Sequence, residues 1–155
     1  MSASVRIGIV GLGRLGRRHA ENLALRVPGA SLVAAASPIA EERTWAETTL
    51  PGIATYPGLT ELLDHPGLDA VWLVTPTSLH ADQVIIALEA GKHVFCEKPL
   101  ALETADCDRV VAVANRLIDS GRYDLIVASQ DWHPPGHGSF ASAHPGKQPF
   151  EMGEL

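Results

Sequence analysis

A six-residue pattern, Gly11-Leu12-Gly13-Arg14-Leu15-Gly16, stands directly between an apolar run and an amphipathic stretch. That placement constrains the fold more than any other feature of the chain. Val5–Val10 is apolar except for Arg6 and Gly8, as expected of a parallel strand covered on both faces. Leu15, His19, Ala20, Leu23, Ala24 and Val27 then recur at helical spacing until Pro28-Gly29 stops the pattern. Strand, tight turn and helix in that order form the first half of a βαβ unit.

The alternation continues. Strands are expected at Leu32–Ala36, Ile53–Tyr56, Ala70–Val74, His93–Cys96 and Leu125–Ala128. Helices are expected around Ala40–Leu50, which ends at Pro51-Gly52, and briefly over Thr60–Leu63. Another follows Ser78 as N-cap, with Ala81, Val84, Ile85 and Leu88 on one face and Gly91 past its end. The last is capped by Thr104, carries Asp106 and Asp108 near its positive end, and stops at Gly121. Its expected apolar positions are Cys107, Val110, Val111, Ala114, Leu117 and Ile118. Repeated βα units require right-handed crossovers and a parallel sheet with helices on both faces. The expectation is a doubly wound α/β domain of about six strands over residues 1–129. Residues 130–155, rich in Pro, Gly, His and Ser, read as loop or tail.

In such a unit each glycine has its own task. Gly11 permits the tight turn, Gly13 lets the backbone approach a pyrophosphate, and Gly16 lets the helix pack against the strand. Leu12, Arg14 and Leu15 complete the phosphate-facing turn, where unpaired N–H groups and a partial positive charge favour an anion. A nicotinamide dinucleotide is therefore the expected ligand. The acid that usually holds the ribose hydroxyls after the second strand is missing, and Ser37-Pro38 stands in its place. No arginine follows at once to hold a 2′-phosphate, since Arg43 lies a helical turn and more away. The choice between NAD and NADP stays open. Arg14, Arg17 and Arg18 flank the turn, either as phosphate attractors or as a solvated helix face.

The chain has 155 residues, 46% hydrophobic and 19% charged, and a net charge of −6. That length allows about one domain and leaves no room for a separate substrate domain. The acidic balance argues against a nucleic-acid surface. No run approaches the roughly 18 apolar residues of a membrane span, and no signal peptide precedes the first strand. Two cysteines, Cys96 and Cys107, read as reduced and packed. A cytoplasmic protein is expected.

Two further stretches sharpen the reading. Trp72-Leu73-Val74-Thr75-Pro76-Thr77-Ser78-Leu79-His80 follows the fourth strand, and Glu97-Lys98-Pro99 follows the fifth. With the glycine turn, residues 3–112 resemble the Gfo/Idh/MocA family of NAD(P)-dependent sugar and inositol dehydrogenases. The resemblance implies that Thr75, Pro76, Thr77 and His80 line the nicotinamide side, with Glu97 and Lys98 beside them. It makes Lys98 the candidate catalytic residue, near a sugar or polyol hydroxyl. A lysine there could polarise, or take a proton from, an alcohol losing hydride. Outside that context, Lys98 is a surface lysine before a turn proline. The family's substrate pocket belongs to a C-terminal domain that nothing after residue 112 resembles, so cofactor binding without turnover is the expectation.

A second cluster lies near the end. Asp131, His133 and His137 bring a carboxylate and two imidazoles within seven residues, a donor set suited to Zn, Mn or Fe. Pro- and Gly-rich loops also gather such residues as ordinary turn formers. The stretches Val113-Ala114-Asn115-Arg116-Leu117-Ile118, Ala128-Ser129-Gln130-Asp131-Trp132-His133-Pro134 and His137-Gly138-Ser139-Phe140 resemble nicotinamidases/pyrazinamidases, over about residues 111–155. The resemblance implies metal ligation by Asp131 and His133, with His137 a candidate to join them. It also implies a catalytic cysteine, lysine and aspartate that this sequence does not match, so amidase activity is not expected. Taken together, the two resemblances imply a chimera joined between about Asp108 and Val113. Four readings remain: a nicotinamide-dinucleotide-binding module, an oxidoreductase borrowing its substrate site from another subunit, a metal-binding or amidase-like module, and a recombined chain without selected function. Oligomeric state is open.

Overall fold

The computed structural model describes residues 4–121. The chain divides into units Met1–Arg122 and Tyr123–Leu155, and the described sheet lies in the first. Strand β1 (Val5–Val10) lies at its centre, flanked by β2 (Ala30–Ala36) and β4 (Ala70–Leu73), with β3 (Ala54–Tyr56) and β5 (His93–Cys96) outermost. The order β3-β2-β1-β4-β5 is parallel throughout. The expected sixth strand, Leu125–Ala128, lies outside the described residues, as does the expected tail.

The apolar run of β1 serves two cores at once. Ile7 and Ile9 point to one face and pack with Leu12, Ala20, Leu23, Ala46 and Leu50 from α1 (Arg14–Leu25), α2 (Ala40–Thr49) and their flanking loops. Val10 points to the other face, among Leu62, Leu73, Val84 and Val110. That second core is closed by α3 (Leu59–Leu63), α4 (His80–Glu89) and α5 (Thr104–Asp119). Each fully buried aliphatic chain of this kind stabilises by about 1.5–3 kcal/mol. The pairing slips once: Leu32 to Ala34 in β2 spans the single step from Ile7 to Gly8 in β1. The extra residue lets Val33 and Ala34 both serve the second core.

Helix ends differ from the sequence expectation. Ser78 is no N-cap: it sits inside a single 3-10 turn, Thr77–Leu79, and α4 begins at His80 with Leu79 before it. Thr104 is the first residue of α5, preceded by Glu103, and its side chain makes no capping bond. α1 ends at Leu25, before Val27, because Arg26 has left the helical region. The buried stripe of α5 is Val110, Val113 and Leu117, whereas Val111 and Ile118 are 51% and 40% exposed. Two apolar stripes compete on this helix, and packing against α4 selects the one nearer Val113. α5 nevertheless runs unbroken through the expected join at 108–113. Arg109–Asp82 and Arg116–Glu89 bridge α5 to α4 on the surface, where such pairs add little.

Candidate cofactor site

The chain reverses its direction of travel along the sheet between β1 and β4, and both strands end at the same edge. In doubly wound sheets ligands bind there, outside the carboxyl ends of the strands. A cavity of about 780 Å³ opens at this place, lined by the loops after β1, β2, β4 and β5.

The glycine turn forms its floor. Gly11 has φ +94°, and a Cβ there would lie 2.6 Å from the Val74 carbonyl oxygen. Its N–H donates to the Ala36 carbonyl at 2.9 Å, which ties the turn to β2. Gly16 faces the Gly11 carbonyl so closely that a Cβ would overlap it. Gly13 is the opposite case, for nothing lies within 4 Å of where its Cβ would be. Gly13 precedes α1, whose first turn carries no acidic residue and no side-chain cap. Its first N–H groups therefore have no intrahelical partner and meet open space at a positive helix end. Leu12, Arg14 and Leu15 line the same cavity. Arg17 is engaged within the protein: its Nε donates to the Leu12 carbonyl at 3.1 Å, and its guanidinium lies 4.8 Å above the Trp45 ring.

The opposite wall comes from the two motif loops. Thr75, Pro76, Thr77, His80, Glu97 and Lys98 all line the cavity. Thr75 Oγ1 donates to Gln83 Oε1 at 2.5 Å, holding the loop to α4. His80 is 1% exposed, and its ring lies 2.8 Å from two carbonyl oxygens, that of Pro99 at Nδ1 and that of Thr75 at Nε2. It staples the Thr-Pro loop to the Glu-Lys-Pro loop, whose Lys98–Pro99 peptide is cis. Lys98 Nζ makes no hydrogen bond or ion pair with any described residue. Glu97 accepts from Lys98 N at 3.2 Å and pairs with His19 Nε2 at 2.9 Å. His19, taken from sequence as a helix-face residue, thus braces the loop after β5, beside the stacked rings of Trp72 and Phe95. No sequence signal spans those 78 positions.

Sequence reasoning also passed over Glu42, which lines the cavity beside Ser37. Its signal was available: an acid in the first turn of the helix after a strand that ends without one. The Asp131, His133 and His137 motif lies outside the described residues. Among the described residues no group of three or more His, Cys, Asp or Glu could hold a metal ion. Nor is any helix there long and apolar enough to cross a membrane.

Behind the site, burial first and the Glu97 carboxylate second push the Cys96 thiol up to about 11. At pH 8 only about one Cys96 in a thousand is then thiolate. Alkylation by iodoacetamide at pH 8, followed by peptide mass spectrometry, should label Cys107 first and Cys96 about tenfold slower or more. Equal rates would contradict that environment for Cys96.

Residues 5–119 match the family model of the Gfo/Idh/MocA oxidoreductases, described as an NAD-binding Rossmann fold. The chain belongs to that family. Scyllo-inositol 2-dehydrogenase (NAD(+)) of Bacillus subtilis is 46% identical over 104 residues, 66% of this chain and 30% of that protein. Myo-inositol 2-dehydrogenase of Thermotoga maritima is 41% identical over 108 residues, 69% of this chain and 32% of its own length. Among solved structures, scyllo-inositol dehydrogenase from Lactobacillus casei with bound NAD(H) and scyllo-inositol superposes with a TM-score of 0.71. It is 38% identical, with 75% of this chain and 34% of that chain covered. The chain thus spans about a third of the length of these relatives. The family match continues through the expected join to residue 119. The comparisons support neither a chimera nor the nicotinamidase-like resemblance of residues 111–155.

Proposed function

We propose that the chain binds a nicotinamide dinucleotide and serves as the cofactor domain of a dehydrogenase acting on an inositol or related sugar hydroxyl. One observation carries the reading most: Gly13 leaves an open cradle at the N-terminus of α1, at the floor of a cavity of dinucleotide size. The free N–H groups of α1 would hold the pyrophosphate, and Gly13 would let it approach the backbone. Val10, Pro76 and the other apolar lining would exclude water from the nicotinamide. When bound, such a cofactor supplies a two-electron hydride acceptor.

Lys98, exposed and with its ammonium free of described partners, is the residue proposed to meet the substrate hydroxyl. It would orient the alcohol oxygen and, as the neutral amine, take the hydroxyl proton at Nζ while the C–H hydrogen leaves with its electron pair. Glu97, braced by His19, would fix where that lysine stands. The inositol assignment draws on the activities of the relatives, of whose length the matched residues make up about a third.

Titrating the protein with NADH and following nicotinamide fluorescence tests the reading. A single saturable site with Kd in the micromolar range or below is expected, roughly −8 kcal/mol of binding. No saturable binding would overturn it. NAD-dependent oxidation of scyllo- or myo-inositol then tests the substrate class.

A further inference from the structure

We infer that Glu42 selects the cofactor: it replaces the missing strand-end acid, holds the adenosine ribose hydroxyls and excludes a 2′-phosphate. The inference rests on the dinucleotide reading of the cavity and extends it to one residue and one cofactor.

The usual acid follows the second strand directly, where this chain has Ser37. Ser37 is 1% exposed, so its hydroxyl must find partners within the protein. It accepts from Ile39 N at 3.1 Å and donates to Glu42 Oε2 at 2.5 Å. That pair of bonds draws the carboxylate of α2 back over the end of β2. Ser37 and Glu42 both line the cavity there, with Ala36, Pro38 and Ile39. Glu42 Oε1 accepts no hydrogen bond from any described residue. An acceptor-only group with a free oxygen suits a pair of ribose hydroxyls, which are donors.

The neighbouring arginine points to the same choice. Arg43 Nη1 donates to the Ser37 carbonyl at 2.6 Å, and Arg43 is absent from the cavity lining. The cation able to neutralise a 2′-phosphate is occupied, while the anion that repels one faces the cavity. The acid and the base are adjacent in the chain, and only the fold separates their tasks.

Glu42 also has a plain structural role, since it and Glu41 sit at the positive end of α2. Glu41 shares that helix end but does not line the cavity, so it serves as the control. Kd values for NADH and NADPH would be measured by fluorescence on the full chain and its variants. The unaltered chain should prefer NADH by about tenfold or more, and Glu42→Gln should bring the two within about threefold. Glu41→Gln should leave the ratio unchanged. Equal affinities in the unaltered chain would overturn the inference. So would a Glu42→Gln variant that binds NADH with its original preference. Failure of both nucleotides to bind would overturn the dinucleotide reading itself, a different result.

Discussion

Gly13→Val should weaken NADH binding about a hundredfold or more while the protein stays folded. Nothing lies within 4 Å of where a Cβ would stand, so a valine enters open space, where the pyrophosphate is proposed to approach. Two charge-assisted hydrogen bonds from α1 to phosphate would be forfeited, at about 1.5–3 kcal/mol each, which sets that scale. The cost to folding is small, because Gly13 has φ −64° and ψ −173°, backbone that any residue adopts. Replacing glycine at an N-cap with a β-branched residue costs about 1 kcal/mol at most. Fluorescence titration and thermal unfolding on the same sample check both halves. Unchanged NADH affinity would place the dinucleotide elsewhere.

Gly16→Ala should do the reverse and damage the fold. Alanine is the better helix former by about 1 kcal/mol, so propensity favours the change. Sterics oppose it, because the new methyl would overlap the carbonyl oxygen of Gly11. That oxygen belongs to a turn pinned by φ +94° and by the Gly11 N–H bond to Ala36, so it cannot swing aside. α1 would have to lift from β1, disturbing Ala20 and Leu23 beneath it. Overpacking against backbone costs about 3 kcal/mol. At this size the melting temperature should fall by about 10 °C, measured by circular dichroism. A melting temperature at or above that of the original chain would mean that helix propensity wins and the turn yields. Two glycines three residues apart thus have separable effects, one on the ligand and one on the fold.

Much of this was legible in order along the chain. The strands of the described residues were located within two residues at each end, because central parallel strands are apolar on both faces and carry a strong local signal. Helix starts were read less well. Ser78 and Thr104 have good capping chemistry, yet neither caps, because the preceding loops are held by tertiary bonds such as those of His80. The face of α5 was misplaced for a related reason: periodicity offers two stripes, and only contact with α4 chooses between them. Within the site, Lys98 and the glycine turn were visible as motifs. The His19–Glu97 pair was not, since it joins elements far apart in the chain, whereas Glu42 carried a readable signal as the acid that follows an acid-free strand end.

The doubly wound sheet, the glycine turn and the ligand-binding edge of the sheet are all written in the order of residues. Those follow from local rules: apolar runs, helical periodicity, and glycines where a side chain cannot fit. Which charges face that edge is settled by packing. Ser37 must satisfy its buried hydroxyl, and in doing so it brings Glu42 to the cavity and occupies Arg43 through its carbonyl. A buried polar group with a limited choice of partners fixes its neighbours, and that constraint exists only once the chain has folded.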